Sequence, residues 1–273
     1  MNKKKCVLAV IGVGNMAKSI INGIVTANID ISQINLYDKN TSQYSALPLG
    51  NVKYTYADSV SDAVTNADYV LLSVKPQNYP EVLIDLAKVE ECNKKIYISI
   101  GAGITSTSVS EALLGASVIR VLPNVPMFIG QGVSVICESK SVSSDDFNFV
   151  CSIFKSAGNN LIIDESDMNR IIGVTSSSPA YVFKFIDAIY QGAIAQGLPE
   201  DGLLDAICDV VIGSAMMLKQ SSDSPCELVS KVASKGGTTE QALLKLNEYK
   251  FDEGICEAMK ACTRRADELG KNK

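Results

Sequence analysis

Residues 10–17 read VIGVGNMA. The run just before them, 6–11, is short, apolar and rich in Val and Ile, as a strand buried on both faces should be. Residues 16–27 behind it carry helical spacing. The pattern is therefore G-x-G-x-x-A between a strand and a helix. Gly12 permits the tight turn, Gly14 lets the backbone approach a pyrophosphate, and Ala17 lets helix and strand pack closely. Asn15 and Met16 open the helix, where unpaired N–H groups face phosphates. The stretch predicts a Rossmann-type dinucleotide site. The bland reading is a plain strand-to-helix turn, and the motif's place at the head of an alternating pattern weighs against it.

That alternation extends outward. Further strands are expected at 34–37, 52–56, 69–74, 95–100 and 118–122, with helices at 61–66, 81–88 and 106–114. Such a pattern implies a parallel sheet wrapped by helices. Residues 133–137 and 161–163 read as added edge strands, with a helix at 144–157 between them. After Asp164 the strand signal stops. Helices are expected over 170–196, 200–220, 224–233, 238–248 and 251–269. The expected class is α/β: a Rossmann-type dinucleotide-binding domain over 1–164, then an all-helical domain over 165–273. In the helix at 200–220, Leu203, Leu204, Ile207, Cys208, Val210, Val211, Ile212, Ala215, Met216 and Leu218 cover most of the circumference. A helix apolar all round must be buried all round, and about one hundred helical residues struggle to do that alone. An obligate homodimer through the second domain is expected.

Composition agrees. Of 273 residues, 47% are hydrophobic and 20% charged, enough for a substantial core. A formal charge of −5 argues against a dedicated nucleic-acid binder. Lys3, Lys4 and Lys5 form one basic cluster, read as a solvated lead-in to the first strand. The segment CVLAVIGVG is too short and too glycine-broken for a signal-peptide core, and no apolar run reaches about 18 residues. No membrane association and a cytoplasmic location are expected. The eight cysteines show no C-x-x-C pair and read as buried thiols in a reducing compartment. With no histidine and no cysteine cluster, no metal site is expected.

Three loops follow strand ends, where open α/β sheets bind ligands. Asp38 ends the second strand, 24 residues after Gly14. An acid there accepts from the adenosine ribose and repels a 2′-phosphate, which leans towards NADH; Lys39 and Asn40 could instead hold that phosphate. The segment SVKPQN at 73–78 places Ser73, Lys75 and Pro76 after the fourth strand, and GAG at 101–103 places Gly101 and Ala102 after the fifth.

The order VIGVGNMA, SVKPQ, GAG, RVLPNVP at 120–126, SSSPAYVF at 176–183 and SKGGTT at 234–239 resembles the pyrroline-5-carboxylate reductase family over essentially the full length. RVLPNVP and the GGTT helix start are its more diagnostic parts. The resemblance implies reduction of the cyclic imine 1-pyrroline-5-carboxylate to L-proline with NADPH or NADH. It also implies a dimer of interlocked helical domains, often assembled further into a decamer. The chemistry suits the residues. Carbonyl reduction usually needs a general acid, often a histidine, and this chain has none. An imine nitrogen can be protonated before hydride arrives, so binding, orientation and desolvation become the main tasks.

In GGTT, Thr238-x-x-Gln241 matches a capping box, with Thr238 capping the helix and Gln241 reaching back. Thr239 then has its hydroxyl available. Gly236 and Gly237 expose backbone N–H groups at a helix start, a place suited to a carboxylate. The resemblance implies that this loop touches the substrate, with Thr239 near the imine nitrogen. The expected roles are then Thr239 as the catalytic hydroxyl that orients or protonates that nitrogen, and the amides at 237–239 on the carboxylate. Pro123, Asn124 and Pro126 are expected to fix a rigid loop beside the nicotinamide; Asn124 binds the cofactor or braces a loop. The chain departs from the family pattern at Ser176 and Ser178, where glycines are usual, at Lys235, where proline is usual, and at Gly101, where alanine is usual. Lys235 is read as facing solvent. The alternatives are a 3-hydroxyacid dehydrogenase using Lys184 and Asp187, one helical turn apart, and a nucleotide-binding regulator without catalysis.

Overall fold

Strand β1 (Cys6–Ile11) is the axis of the sheet, because its side chains are apolar on both faces. Leu8 and Val10 point into one core, Ala9 and Ile11 into another, and all four are at most 1% exposed. The computed structural model describes residues 6–45, 47–137 and 141–271. The Lys3–Lys5 cluster lies outside the described residues.

The chain continues as α1 (Asn15–Thr26), β2 (Ile31–Tyr37), β3 (Lys53–Tyr56), α2 (Val60–Val64), β4 (Tyr69–Leu72), α3 (Tyr79–Leu86), β5 (Ile96–Ser99), α4 (Ser106–Ala112) and β6 (Ser117–Leu122). Then come β7 (Gly132–Cys137), α5 (Ser144–Lys155) and β8 (Gly158–Ile163). Eight strands form one sheet in the order β3-β2-β1-β4-β5-β6-β7-β8. All neighbours are parallel except β6 and β7, which pair antiparallel with Val121 opposite Ile136. The strand order reverses between β1 and β4, with Val10 aligned to Leu36 on one side and Leu71 on the other. That reversal opens the crevice where such sheets take ligands.

The Rossmann-type half has the expected class. One expectation needs correction: β7 is not an edge strand. A short connection reverses the chain after β6, so β7 pairs antiparallel beside it. The crossover through α5 then places β8 outside β7, and Val135 and Ile136 are fully buried. Helices α1 and α5 cover one face through Ile20, Ile21, Ile24, Val150, Ile153 and Phe154. Helices α2, α3 and α4 cover the other through Val64, Leu86 and Val109.

Beyond β8 the described chain is helical: α6 (Ile172–Thr175), α7 (Ser178–Ala195), α8 (Leu203–Gln220), α9 (Pro225–Val232), α10 (Thr238–Glu248) and α11 (Phe251–Lys271). The single helix expected over 170–196 is broken at 176–177. Pro179 brings no N–H and crowds the carbonyl four residues back, so α6 ends and α7 starts afresh.

Contacts divide the chain into two compact units, Met1–Ser177 with Met259–Lys273, and Ser178–Ala258. Strand content ends at 163, but packing keeps 165–177 and the last turns of α11 with the sheet. There Leu122, Val135, Cys137, Met168, Ile172 and Ala266 form a third core. In the second unit α8 keeps its all-round apolar surface with only Ile207 buried, while Val210 is 66% and Ile212 56% exposed. Among the described residues, no helix is long and apolar enough to cross a membrane.

Candidate active site

The glycine loop has the geometry its sequence demands. Gly12 adopts φ +90°, and a Cβ there would sit 2.8 Å from the Ser73 carbonyl oxygen. Only glycine allows both the turn and that approach. Gly14 is extended and caps α1, and the space where its Cβ would lie is open. The first helical bond runs from Lys18 N–H to the Gly14 carbonyl at 3.0 Å. The N–H groups of Asn15, Met16 and Ala17 therefore have no intrahelical acceptor. Ala17 is fully buried, as close helix–sheet packing requires.

Around this loop lies a cavity of about 410 Å³, walled on one side by Tyr37–Asn40 and Gln43 and on the other by Ser73–Lys75, Gln77, Asn78 and Glu81. Gly12, Gly14, Asp38, Lys39, Ser73 and Lys75 are brought together there. Asn15, Met16, Pro76, Gly101, Ala102 and Asn124 do not line it. An open glycine cradle, free helix-start donors and a crevice at the strand reversal together fit a dinucleotide.

Asp38 has a second task that its spacing did not show. Its Oδ2 accepts the Val13 N–H at 2.7 Å, and its Oδ1 accepts the Asn40 N–H at 2.8 Å. The carboxylate thus ties the glycine loop to the end of β2. Lys39 Nζ donates to both Glu81 oxygens at 2.7 Å. Pro76 starts a 3-10 turn, closed by Asn78 N–H to the Lys75 carbonyl at 2.9 Å, and Lys75 is left exposed.

The GAG turn is fixed from both sides. The Gly101 N–H donates to the Tyr79 hydroxyl at 2.9 Å, and that hydroxyl donates to the Leu72 carbonyl at 2.9 Å. Burial pushes the Tyr79 phenol up to about 12, so it stays protonated and can hold these bonds. On the other side, a Cβ at Gly103 (φ +76°) would lie 2.6 Å from the Ala266 carbonyl of α11. Asn124 is buried; its Nδ2 donates to the Thr175 carbonyl at 3.0 Å and its Oδ1 accepts Val133 N–H at 2.8 Å. Of its two expected tasks, these contacts perform the bracing one.

In the second unit the GGTT segment differs in one respect from its expectation. Thr238 is not the cap: Gly237 is, extended at φ −84°, ψ 169°, with no side-chain capping bond. The helix starts one residue earlier than the capping-box register requires, so Thr238 is its first residue. Glu240 then reaches back in place of Gln241, its Oε2 accepting Gly236 N–H at 2.8 Å. The Gly237 N–H donates to the Ser234 carbonyl at 2.9 Å. Of the amides expected to receive a carboxylate, Gly237's is already engaged, while those of Thr238 and Thr239 keep the free positions of a helix start. Thr239 is half-buried, and Lys235 is exposed.

Sequence reading missed one buried cluster. Arg120, 1% exposed in the middle of β6, donates to Glu165 Oε1 at 2.9 Å and to Asn169 Oδ1 at 2.6 Å. Asn169 in turn donates to Asp267 at 2.7 Å. Burial alone would raise the Glu165 carboxyl, but hydrogen bonds from Arg120, Cys137 and Ser106 hold it below the usual range. The signal was a lone arginine inside an apolar strand, which requires a buried partner. At the 176–178 departure, Ser176 Oγ is buried and has no hydrogen-bond partner among the described residues. Lys184 and Asp187 lie on exposed positions of α7, where Gln191 Nε2 donates to Asp187 at 3.4 Å.

Two family models match this chain: one described as pyrroline-5-carboxylate reductase dimerisation over residues 165–269, the other as NADP oxidoreductase coenzyme F420-dependent over 7–103. A pyrroline-5-carboxylate reductase of Escherichia coli (strain K12) is 31% identical over 275 aligned residues, covering 100% of both chains. The Plasmodium falciparum pyrroline carboxylate reductase with NADP bound superposes with a TM-score of 0.86 at 25% identity, over 99% of this chain and 100% of that one. The Coxiella burnetii pyrroline-5-carboxylate reductase superposes at 0.85 with 28% identity, over 98% and 100%. With its motifs in order and relatives matched end to end, the chain belongs to the pyrroline-5-carboxylate reductase family.

Proposed function

We propose that the chain reduces 1-pyrroline-5-carboxylate to L-proline with NAD(P)H in the cytoplasm. The observation that carries this is the end-to-end match to a pyrroline-5-carboxylate reductase in a chain that holds both an open glycine cradle and a GGTT helix start. Bound NAD(P)H supplies the hydride. The glycine loop, the donors at the start of α1, Ser73 and Lys75 hold and orient the dinucleotide. The Thr238 and Thr239 amides receive the substrate carboxylate, and the Thr239 hydroxyl orients the imine nitrogen or relays a proton to it, regaining one from solvent. Asn124 keeps the 123–131 loop in place through the Thr175 carbonyl and the Val133 N–H. Consumption of NADH or NADPH on adding the imine tests the reaction. A proline soak tests the residue roles: its carboxylate is expected on the 238–239 amides, and a carboxylate bound elsewhere contradicts them.

The working form is a homodimer built through the second unit. The exposed apolar surface of α8 and the dimerisation model over 165–269 both support this. Sedimentation at micromolar concentration should show a dimer or a multiple of it, up to the decamer the family resemblance implies. A stable folded monomer contradicts the reading.

A further inference from the structure

We propose that Glu81 is a positioning residue that sets coenzyme preference, by engaging Lys39 at the ribose end of the dinucleotide cavity and so biasing the chain towards NADH. The inference rests on the dinucleotide reading above. The acid that ends β2 marks where the adenosine 2′ position lies. Next to that acid, Lys39 is the cation placed to meet a 2′-phosphate. It is already held by Glu81, which comes from the first turn of α3 across the cavity and offers both oxygens at 2.7 Å.

A 2′-phosphate carries a charge of about −1.5 to −2 at neutral pH. Arriving at Lys39, it must share that cation with Glu81 and face the Asp38 carboxylate as well. The next cations are differently placed. Lys18 Nζ donates to Gln43 Oε1 at 3.2 Å, and Lys75 lines the cavity from the segment after β4. A 2′-hydroxyl meets none of this repulsion, and Asp38 keeps spare lone pairs to accept from it. Exposed ion pairs contribute little to stability, so Glu81 can be changed with small effect on the fold. Its effect on a divalent ligand at the same cation is larger, because like charges are being brought together.

The test compares NADH and NADPH, by fluorescence titration and by kcat/KM, in the full-length wild type, Glu81→Gln, Glu81→Asp and the double variant Glu81→Gln with Lys39→Met. Glu81→Gln should improve NADPH by about three- to tenfold while NADH changes by less than about twofold. The gain should shrink at high ionic strength. Glu81→Asp should keep the wild-type ratio, and Lys39→Met should cancel the gain. An NADPH/NADH ratio unmoved by Glu81→Gln, or moved equally with Lys39 removed, overturns the proposal. Failure of both coenzymes to bind any variant overturns the dinucleotide reading itself, a separate result.

Discussion

Tyr79 and Gly101 are matched to each other: the Gly101 N–H donates to the Tyr79 hydroxyl at 2.9 Å, and a Cβ on residue 101 would lie 2.8 Å from the Tyr79 ring. Ile104 Cγ1 would lie 2.7 Å from the same Cβ, so the alanine of the family pattern meets two side chains here. Gly101→Ala forces the buried ring or the turn to move, an overpacking cost of about 1–3 kcal/mol. The urea midpoint should fall accordingly. An unchanged midpoint would show that the turn yields freely.

Arg120 is 1% exposed, so its charge is balanced and hydrogen-bonded inside the protein by Glu165 and Asn169. Glu165→Ala should cost about 3–5 kcal/mol, because it leaves a buried guanidinium without its counter-charge. Glu165 also makes stability pH-dependent. Its folded-state pKa is lowered, so its contribution is fully present above the unfolded value of about 4.3 and is lost as pH falls through the folded value. Unfolding midpoints measured from pH 7 down to pH 3 should show an acid arm in the wild type that is shallower in Glu165→Gln. Parallel curves would contradict this.

Removing the Thr239 hydroxyl should separate binding from turnover. Thr239→Ala is expected to lower kcat by about ten- to a thousandfold, the scale of one lost catalytic contact. Thr239→Ser should restore most of it. Unchanged turnover in the alanine variant removes Thr239 from the reaction.

Glu240 places a negative charge in the first turn of α10, beside the amides assigned to the substrate carboxylate. Glu240→Gln keeps an acceptor for Gly236 N–H and removes the charge. KM for the imine should fall about two- to fivefold with kcat little changed, the effect being greatest at low salt. A rise in KM would mean that the carboxylate's charge organises the loop.

The sheet half was legible because local signals coincide there. A strand, G-x-G-x-x-A and an amphipathic helix in sequence mark a Rossmann-type half, and every expected strand is present to within a few residues. What escaped reading depends on distance along the chain. Strand β7 lies inside the sheet because of pairing with β6 and β8, which no local pattern records. Arg120 announced itself as a charge in an apolar strand, but Glu165, 45 residues on, did not. Lys39 and Glu81 are 42 residues apart and meet only because β2 and α3 flank one cavity. The cap of α10 moved by one residue because Gly237 takes the extended conformation a cap needs, and two adjacent residues, Glu240 and Gln241, could each reach back. The break at 176–177 was written in Pro179, yet the apolar period runs on across it.

The most direct test of the account is NADH and NADPH oxidation by the purified chain with 1-pyrroline-5-carboxylate, set beside NAD+ and NADP+ reduction with 3-hydroxyisobutyrate. Coenzyme should be consumed with the imine alone, with L-proline formed in equal amount. Turnover of the hydroxyacid, or of neither compound while the coenzyme still binds, would contradict it.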